Sequence, residues 1–384
     1  MNTTPQRIIA SIALLSLALA CPSHADWRKY TLANDTINIK LGARLHGDAA
    51  LLRYAPEEFE NDQIVRRSRL SLSIKLFDRI KFNAQYDPVD DDSPYSLLSL
   101  AYQHHNSEFK IGQYVEPFGL DNSTSSNELL FMERALPTAL MPGTSVGLGF
   151  RHWSNRASIS AGMFWETYIE DNTLIDANED RGLSMRMTLR PYQIKRGFTH
   201  LGVSVSARLP DDRYRLRYRA RPESYAIDEK LISTGRMKNV EYHLHTGLEA
   251  AIVAGPWSLQ GEWTQAQVFF QDVDQEQDSL KGGYWTLAYS ITGESRRYSK
   301  RSGVIRAIKA RRASAWEIAL RQSWLDFNTL SQQGGRMDNI TLGLNWYMNH
   351  YIRWMTNYIR VEVNDDEQAP MTFDIVQLRL QLAF

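Results

Sequence analysis

The chain has 384 residues, 43% hydrophobic and 23% charged, which excludes a disordered or low-complexity protein and leaves room for one large or two ordinary domains. Lys plus Arg equals Asp plus Glu at 44 each, so no global attraction to nucleic acid or acidic lipid is implied, and any affinity for anions must be local.

In chain order, Arg7 precedes an apolar run from Ile8 to Ala20. Ser23-His24-Ala25 then leads into a polar stretch, the layout of a secretory signal peptide over residues 1–25, cleaved after Ala25. The single cysteine, Cys21, lies inside this segment, so the mature chain, residues 26–384, has none. Beyond residue 25 no run approaches the roughly 18 apolar residues of a spanning helix. The product is therefore a soluble exported protein or a β-barrel.

Two-residue alternation of apolar and polar side chains recurs along the mature chain, which fits half-buried strands. The candidate strands are 37–52, 64–77, 80–87, 96–104, 109–115, 145–153, 157–166, 183–190, 199–209, 240–253, 257–269, 284–292, 315–326, 339–347, 352–363 and 373–384. Tight links at Asp78-Arg79, Asn155-Arg156, Gly255-Pro256 and Asn349-His350 alternate with longer connections, the pattern of a barrel with short periplasmic turns and long outer loops. The inward connection 293–314 is too long for that pattern. The last strand carries Val376, Leu378, Leu380, Leu382 and Phe384 on one face and Gln377, Arg379, Gln381 and Ala383 on the other. The fold expected is all-β, a transmembrane antiparallel β-barrel of about sixteen strands.

The stretch "DDRYRLRYRARPES" (211–224) places Arg213, Arg215, Arg217, Arg219 and Arg221 at every second position. In an extended chain the five stand in one file, roughly 6.6 Å apart. Counting them as a strand gives an odd total and puts the chain ends on opposite sides, so the file belongs to a long fifth loop, 210–239, which can fold back into the lumen. Five arginines cannot face lipid, where each costs roughly 2 to 4 kcal/mol at mid-membrane. A solvated file neutralised in part by Asp211, Asp212 and Glu223 is the plainer alternative. Assigning the lipid-facing positions turns further cations inward: Arg67, Arg69 and Lys75 opposite Leu70, Leu72, Ile74 and Leu76, then Lys40, Arg44, Lys81, Arg151, Arg186 and Arg190.

Residues 108–143, "EFKIGQYVEPFGLDNSTSSNELLFMERALPTALMPG", combine GQ-aromatic, EPFGL, TSSN and FMERALP in one order. Together with "VRRSRLSLSIKLFDRIKFNAQYD" (65–87), "GPWSLQGEW" (255–263), "YSITGESRRYSKRSG" (289–303) and "LGLNWYMNHYIRWMTNY" (342–358), they resemble the phosphate-selective porins O and P of Gram-negative outer membranes. The resemblance implies a sixteen-stranded, usually trimeric barrel whose third loop, about 116–144, bends inward to narrow the pore. It also implies an arginine ladder that guides phosphate or polyphosphate, to which Arg213 through Arg221 correspond. Arg67 and Arg69 match the family's basic second-strand motif. Arg134 of FMERALP falls at the narrowing, with the adjacent Glu133 as a partner that would make its role structural. Where many relatives have a lysine, this chain has Val115, and Asp90-Asp91-Asp92 does not favour anion entry, so a broad anion-preferring porin is the alternative. The implied partners are inorganic phosphate or other small anions, outer-membrane lipid, the barrel-assembly machinery acting on Phe384, and two further copies of the chain. No cofactor, metal, nucleic acid or catalytic residue is expected.

The expected mechanism is passive permeation along moderate sites, each strong enough for entry and weak enough for exit. One rival is a barrel enzyme built on His243 and His245, which share a strand face with Glu241 and Glu249, a weak signal beside the four-ligand pattern of structural zinc. Another is a closed, structural or receptor-like barrel. The Gly pairs at 282–283 and 334–335 read as outer-loop turns.

Overall fold

The computed structural model describes residues 29–32, 36–55, 62–90, 94–168, 181–210, 216–271, 277–310, 314–329, 333–364 and 369–384. The expected signal peptide, Asp91, Asp92, Arg213 and Arg215 lie outside these residues. Sixteen long strands run in sequence: β1 (Ile37–Arg53), β2 (Asp62–Leu76), β3 (Ile80–Tyr86), β4 (Tyr95–His104), β5 (Ser107–Val115), β6 (Thr144–Trp153), β7 (Ala157–Tyr168) and β8 (Arg181–Leu189). They continue as β9 (Gly197–Leu209), β10 (Val240–Ala254), β11 (Trp257–Phe270), β12 (Asp278–Ser290), β13 (Ala315–Asn328), β14 (Gln333–Tyr347), β15 (Ile352–Asn364) and β16 (Met371–Ala383). Each pairs antiparallel with its neighbour in sequence. β16 returns to β1 in a register that runs from Arg44 opposite Ala383 to Arg53 opposite Asp374. Closure removes the unpaired strand edges that an open sheet would expose.

The alternation sorts the side chains as expected. On β16 Leu380 is 39% exposed and Arg379 only 1%. A lipid-facing band continues through Leu100, Ile111, Leu148, Leu183, Val203, Leu248, Ile318 and Leu342. At the short-turn end, aromatic pairs cross between strands: Trp257 with Tyr289 at 4.4 Å and Trp316 with Trp346 stacked at 5.1 Å between ring centres, the interfacial placement typical of barrel girdles.

Two sequence expectations are corrected here. Gly282-Gly283 and Gly334-Gly335 are not loop turns; they lie inside β12 and β14. A Cβ on Gly282 would stand 3.2 Å from the Pro137 Cβ of the third loop, so the bare backbone lets that loop approach the wall. The inner face is also less uniformly polar than alternation suggests. Val268, Phe270, Leu280, Leu325, Phe327, Val361, Phe373 and Ile375 are buried there against loop residues.

Three connections fill the lumen. The third loop contains a short helix (Leu120–Ser123) and a 3-10 turn (Leu136–Leu140). The fifth folds as a narrow hairpin in which Arg219 faces Ser233, Ala220 faces Ile232 and Leu216 bridges Met237. The long inward connection after β12 also turns back inside. Its hairpin, Arg297–Ser299 with Val304–Arg306, buries Val304 and Ile305 against Leu120, Phe198 and Val253. That inward fold explains its length.

Candidate anion constriction

The site begins at a bulge in β2. His46 pairs with Arg67 but the next residue, Gly47, pairs with Val65, so Arg66 is the extra residue. A bulge bends the strand and re-aims side chains, and here it lets two consecutive arginines reach the lumen. Arg66 Nε lies 3.4 Å and Arg67 Nη1 3.9 Å from Glu133 Oε1 of the third loop. Arg379 of β16 reaches the same oxygen at 2.5 Å while pairing with Asp48 at 2.6 Å. Burial by itself would raise the Glu133 pKa, but the Arg66, Arg379 and Arg67 guanidiniums outweigh it and hold that carboxyl at about 2.

Glu133 is thus taken by wall arginines and does not pair with Arg134, contrary to the expectation from their adjacency. Arg134 instead donates to main-chain carbonyls of its own loop, to Thr124 O at 2.9 Å and to Asp121 O. Carbonyls anchor the guanidinium without cancelling its charge. Asp121 accepts from the Ala135 N–H at 2.9 Å, and Glu262 on β11 accepts from the Leu120 and Asp121 N–H groups at 2.7 and 2.6 Å. The loop is therefore fixed to the wall at several points.

Of the arginine file, Arg217, Arg219 and Arg221 lie along the first arm of the loop-5 hairpin. Its intervening residues Leu216, Tyr218 and Ala220 pack into the luminal apolar cluster with Leu136 and Leu140, which turns the arginines to the other side. Arg217 Nε donates to Ser233 Oγ at 3.0 Å, and Arg221 Nη2 lies 3.4 Å from the exposed Asp228. Arg66 and Arg221 both approach the Tyr225 ring, at 3.4 and 4.8 Å from its centre. Glu223, expected to neutralise the file, lies on the same cavity as Arg221, and its carboxylate accepts from the Leu136 N–H at 3.0 Å, Arg321 at 2.5 Å and Ser323 Oγ at 2.5 Å.

The histidine pair ties both loops to the wall. His243 Nδ1 and His245 Nε2 are 2.8 Å apart, His245 Nδ1 donates to Leu140 O at 2.6 Å, and Tyr218 Oη lies 3.2 Å from His243. Glu241 is exposed and separated from them by the register shift at Val240/Tyr242, and Glu249 is engaged by Arg186 at 2.7 Å and His200 at 3.1 Å. Among the described residues no group of three or more His, Cys, Asp and Glu is placed to hold a metal.

Loops and wall enclose a cavity of about 110 Å³ lined by Arg67, Arg134, Arg221 and Tyr225 and by the arginine-engaged carboxylates Glu133 and Glu223, with Val115 also on its wall. Of the sequence-predicted cations, Arg67, Arg134 and Arg221 meet here, and Arg217 and Arg219 lead to it along the hairpin. Arg44 donates to Ser126 Oγ of the third loop at 2.6 Å. The others do not line it: Arg69 is paired to Asp87 at 2.9 Å, Lys75 to Asp78 at the turn end at 2.6 Å, and Arg151 donates to Ser160 Oγ at 2.9 Å. Sequence reasoning missed Arg66, Arg321 and Arg379 as contributors. The Arg66-Arg67 doublet was the available signal, since strict alternation sends one of two adjacent arginines into lipid.

A closed sixteen-stranded barrel with an apolar outer band and inward loops bearing arginines defines an outer-membrane porin that passes anions. The chain belongs to the family described as phosphate-selective porin O and P, whose model matches residues 39–384, and its location is the Gram-negative outer membrane. It is 24% identical over 371 residues to Porin O of Pseudomonas aeruginosa, covering 85% of this chain and 83% of that protein. It is also 31% identical over 195 residues to an uncharacterized protein of Caulobacter vibrioides, spanning 48% of this chain and 38% of that one. Among solved structures, the anion-selective porin from Comamonas acidovorans superposes with a TM-score of 0.57 at 10% identity, over 91% of this chain and 100% of that one. OmpT of Vibrio cholerae, in its trimer form, gives 0.57 at 10% identity over 91% and 100%.

Proposed function

We propose that this porin conducts phosphate and related oxyanions by passive diffusion along the arginine file of loop 5. The observation that carries the reading is the convergence of Arg67, Arg134 and Arg221 on one cavity between two inward loops. Guanidinium forks match phosphate oxygens and cannot be deprotonated. Arg134 is held by main-chain carbonyls and not by a carboxylate partner, which leaves it to attract a passing anion. A series of moderate sites avoids trapping the ion. The Vibrio cholerae protein is described in a trimer form, and this chain acts in the same state, its outer band in contact with lipid. Phe384, whose N–H donates to Ala43 O at 2.9 Å, closes the last strand and is the element offered to the assembly machinery.

Val115 favours a second reading, a broad anion channel without phosphate preference, because it puts an apolar side chain on the cavity wall. One experiment separates the two: chloride current in planar bilayers, titrated with phosphate, for the native porin and for a variant with Arg217, Arg219 and Arg221 changed to Gln. Phosphate block in the native protein, lost together with anion-over-cation selectivity in the variant, supports the phosphate reading. Selectivity without block supports the broad channel. Unchanged reversal potentials in the variant rule out a role for the file.

A further inference from the structure

The loop-5 hairpin is two strands wide. Arg219 pairs with Ser233 and Ala220 with Ile232, and the Tyr218 N–H donates to Thr234 Oγ1 at 3.0 Å. Side chains alternate along such an arm, so a slip of one residue sends every group to the opposite face. Burial of Leu216 and Ala220 in the luminal apolar cluster favours the observed face, but apolar contact has no direction. Tyr218, 2% exposed, supplies the direction. Its Oη lies 3.2 Å from His243 Nδ1 and 3.4 Å from His245 Nε2.

The two imidazoles on β10 pass this contact on to loop 3. His245 Nδ1 donates to Leu140 O at 2.6 Å, which leaves its Nε2 as the acceptor facing His243 Nδ1 at 2.8 Å and the Tyr218 hydroxyl. The Phe118 ring of loop 3 stands edge-on to His245 at 6.4 Å, and Phe327 of the wall lies 6.3 Å from Tyr218. Arg208, opposite His243 on β9, is held by Glu116 of loop 3. One buried cluster therefore receives a main-chain carbonyl from loop 3 and a side-chain hydroxyl from loop 5. Tyr218 sits between Arg217 and Arg219, and both of those remain partly exposed.

We propose that Tyr218, His243 and His245 are positioning residues of the ion path: their hydrogen bonds fix the face of the loop-5 arm, so that Arg217 and Arg219 meet the passing anion beside loop 3. This rests on the reading of the arginine file as that path, which the variant with Arg217, Arg219 and Arg221 changed to Gln tests separately. Here the test combines reversal potentials in planar bilayers with thiol labelling. Cys21, the one cysteine of the sequence, lies in the expected signal peptide, so Arg219→Cys gives the mature porin a single thiol for a water-soluble methanethiosulfonate. Tyr218→Phe keeps the ring and removes the hydroxyl. It is expected to slow labelling of Arg219→Cys about fivefold, the scale of one neutral hydrogen bond, and to lower anion-over-cation permeability about twofold. His245→Leu should do the same, whereas His245→Asn, whose Nδ2 takes the place of the Nδ1 donor, stays near native. Heat-resistant electrophoretic migration reports the barrel separately, and Tyr218→Phe decides the matter if His245→Leu does not fold. Native permeability ratios and labelling rates in Tyr218→Phe would overturn the proposal, as would equal losses in His245→Asn and His245→Leu.

Discussion

The guanidinium carbon of Arg66 lies 3.4 Å from the centre of the Tyr225 ring, joining a bulged barrel strand to the tip of the loop-5 hairpin. Arg221 approaches the same ring at 4.8 Å, so one aromatic side chain orders a wall cation and a loop cation beside the constriction. Desolvated cation–π contacts are worth about 2 kcal/mol.

Removing that ring should loosen the hairpin tip. Tyr225→Ala is expected to lower anion-over-cation permeability at least twofold and increase open-channel noise, whereas Tyr225→Phe, which keeps the ring, stays near native. Reversal potentials and single-channel traces of the two variants check this; equal behaviour would remove Tyr225 from the constriction.

Glu133 makes the seating of loop 3 acid-sensitive. Its folded pKa, about 2, lies below the ordinary carboxyl value of about 4.3, so its stabilisation is complete above that ordinary value and is lost as pH falls toward 2. The contribution is on the order of 3 kcal/mol. Thermal unfolding of the native porin should drop between about pH 5 and pH 2 more steeply than that of Glu133→Gln, which also starts lower because Arg66, Arg67 and Arg379 lose their shared anion. Parallel pH profiles for the two proteins would contradict the assignment.

Val115→Lys brings an ammonium to the constriction cavity that Val115 helps line. Phosphate block of chloride current should strengthen by about threefold to tenfold. A shift of that size equals about 0.7 to 1.4 kcal/mol, the scale of one partly screened charge contact. No change in block would mean that position 115 does not face the ion path.

Gly282→Val tests the close approach of loop 3 to β12. The new Cβ would stand 2.9 Å from Leu325 Cδ1, 3.0 Å from Trp324 O and 3.2 Å from Pro137 Cβ. Overpacking of this kind costs about 1 to 3 kcal/mol. The expected result is a folded barrel with lower thermal stability and altered unit conductance, read from melting curves and single-channel amplitudes.

Much of the barrel was legible before any coordinates. Two-residue alternation is a property of the chain's own pleat, so it marked sixteen strands and assigned faces as at Leu380 and Arg379. It failed where a wall position served a loop, as at Gly282-Gly283, because a luminal contact leaves no period in the strand that receives it. The candidate site was legible only in part. Arg67, Arg134 and Arg221 were named from spacing and resemblance, whereas the bulge that turns Arg66 inward breaks the alternation on which that reading depended.

By itself, then, the sequence determined the strand count, the lipid-facing band and the extended file of arginines, since each follows from local geometry and from the cost of placing charge in hydrocarbon. Tertiary structure alone decided that the connection after β12 joins loops 3 and 5 inside the barrel, and that Glu133 belongs to Arg66, Arg67 and Arg379 and not to Arg134. Those pairings join residues separated by up to 246 positions. Only closure of the barrel brings such residues within reach, and which carboxylate meets which guanidinium then depends on the competition among all the charges enclosed together.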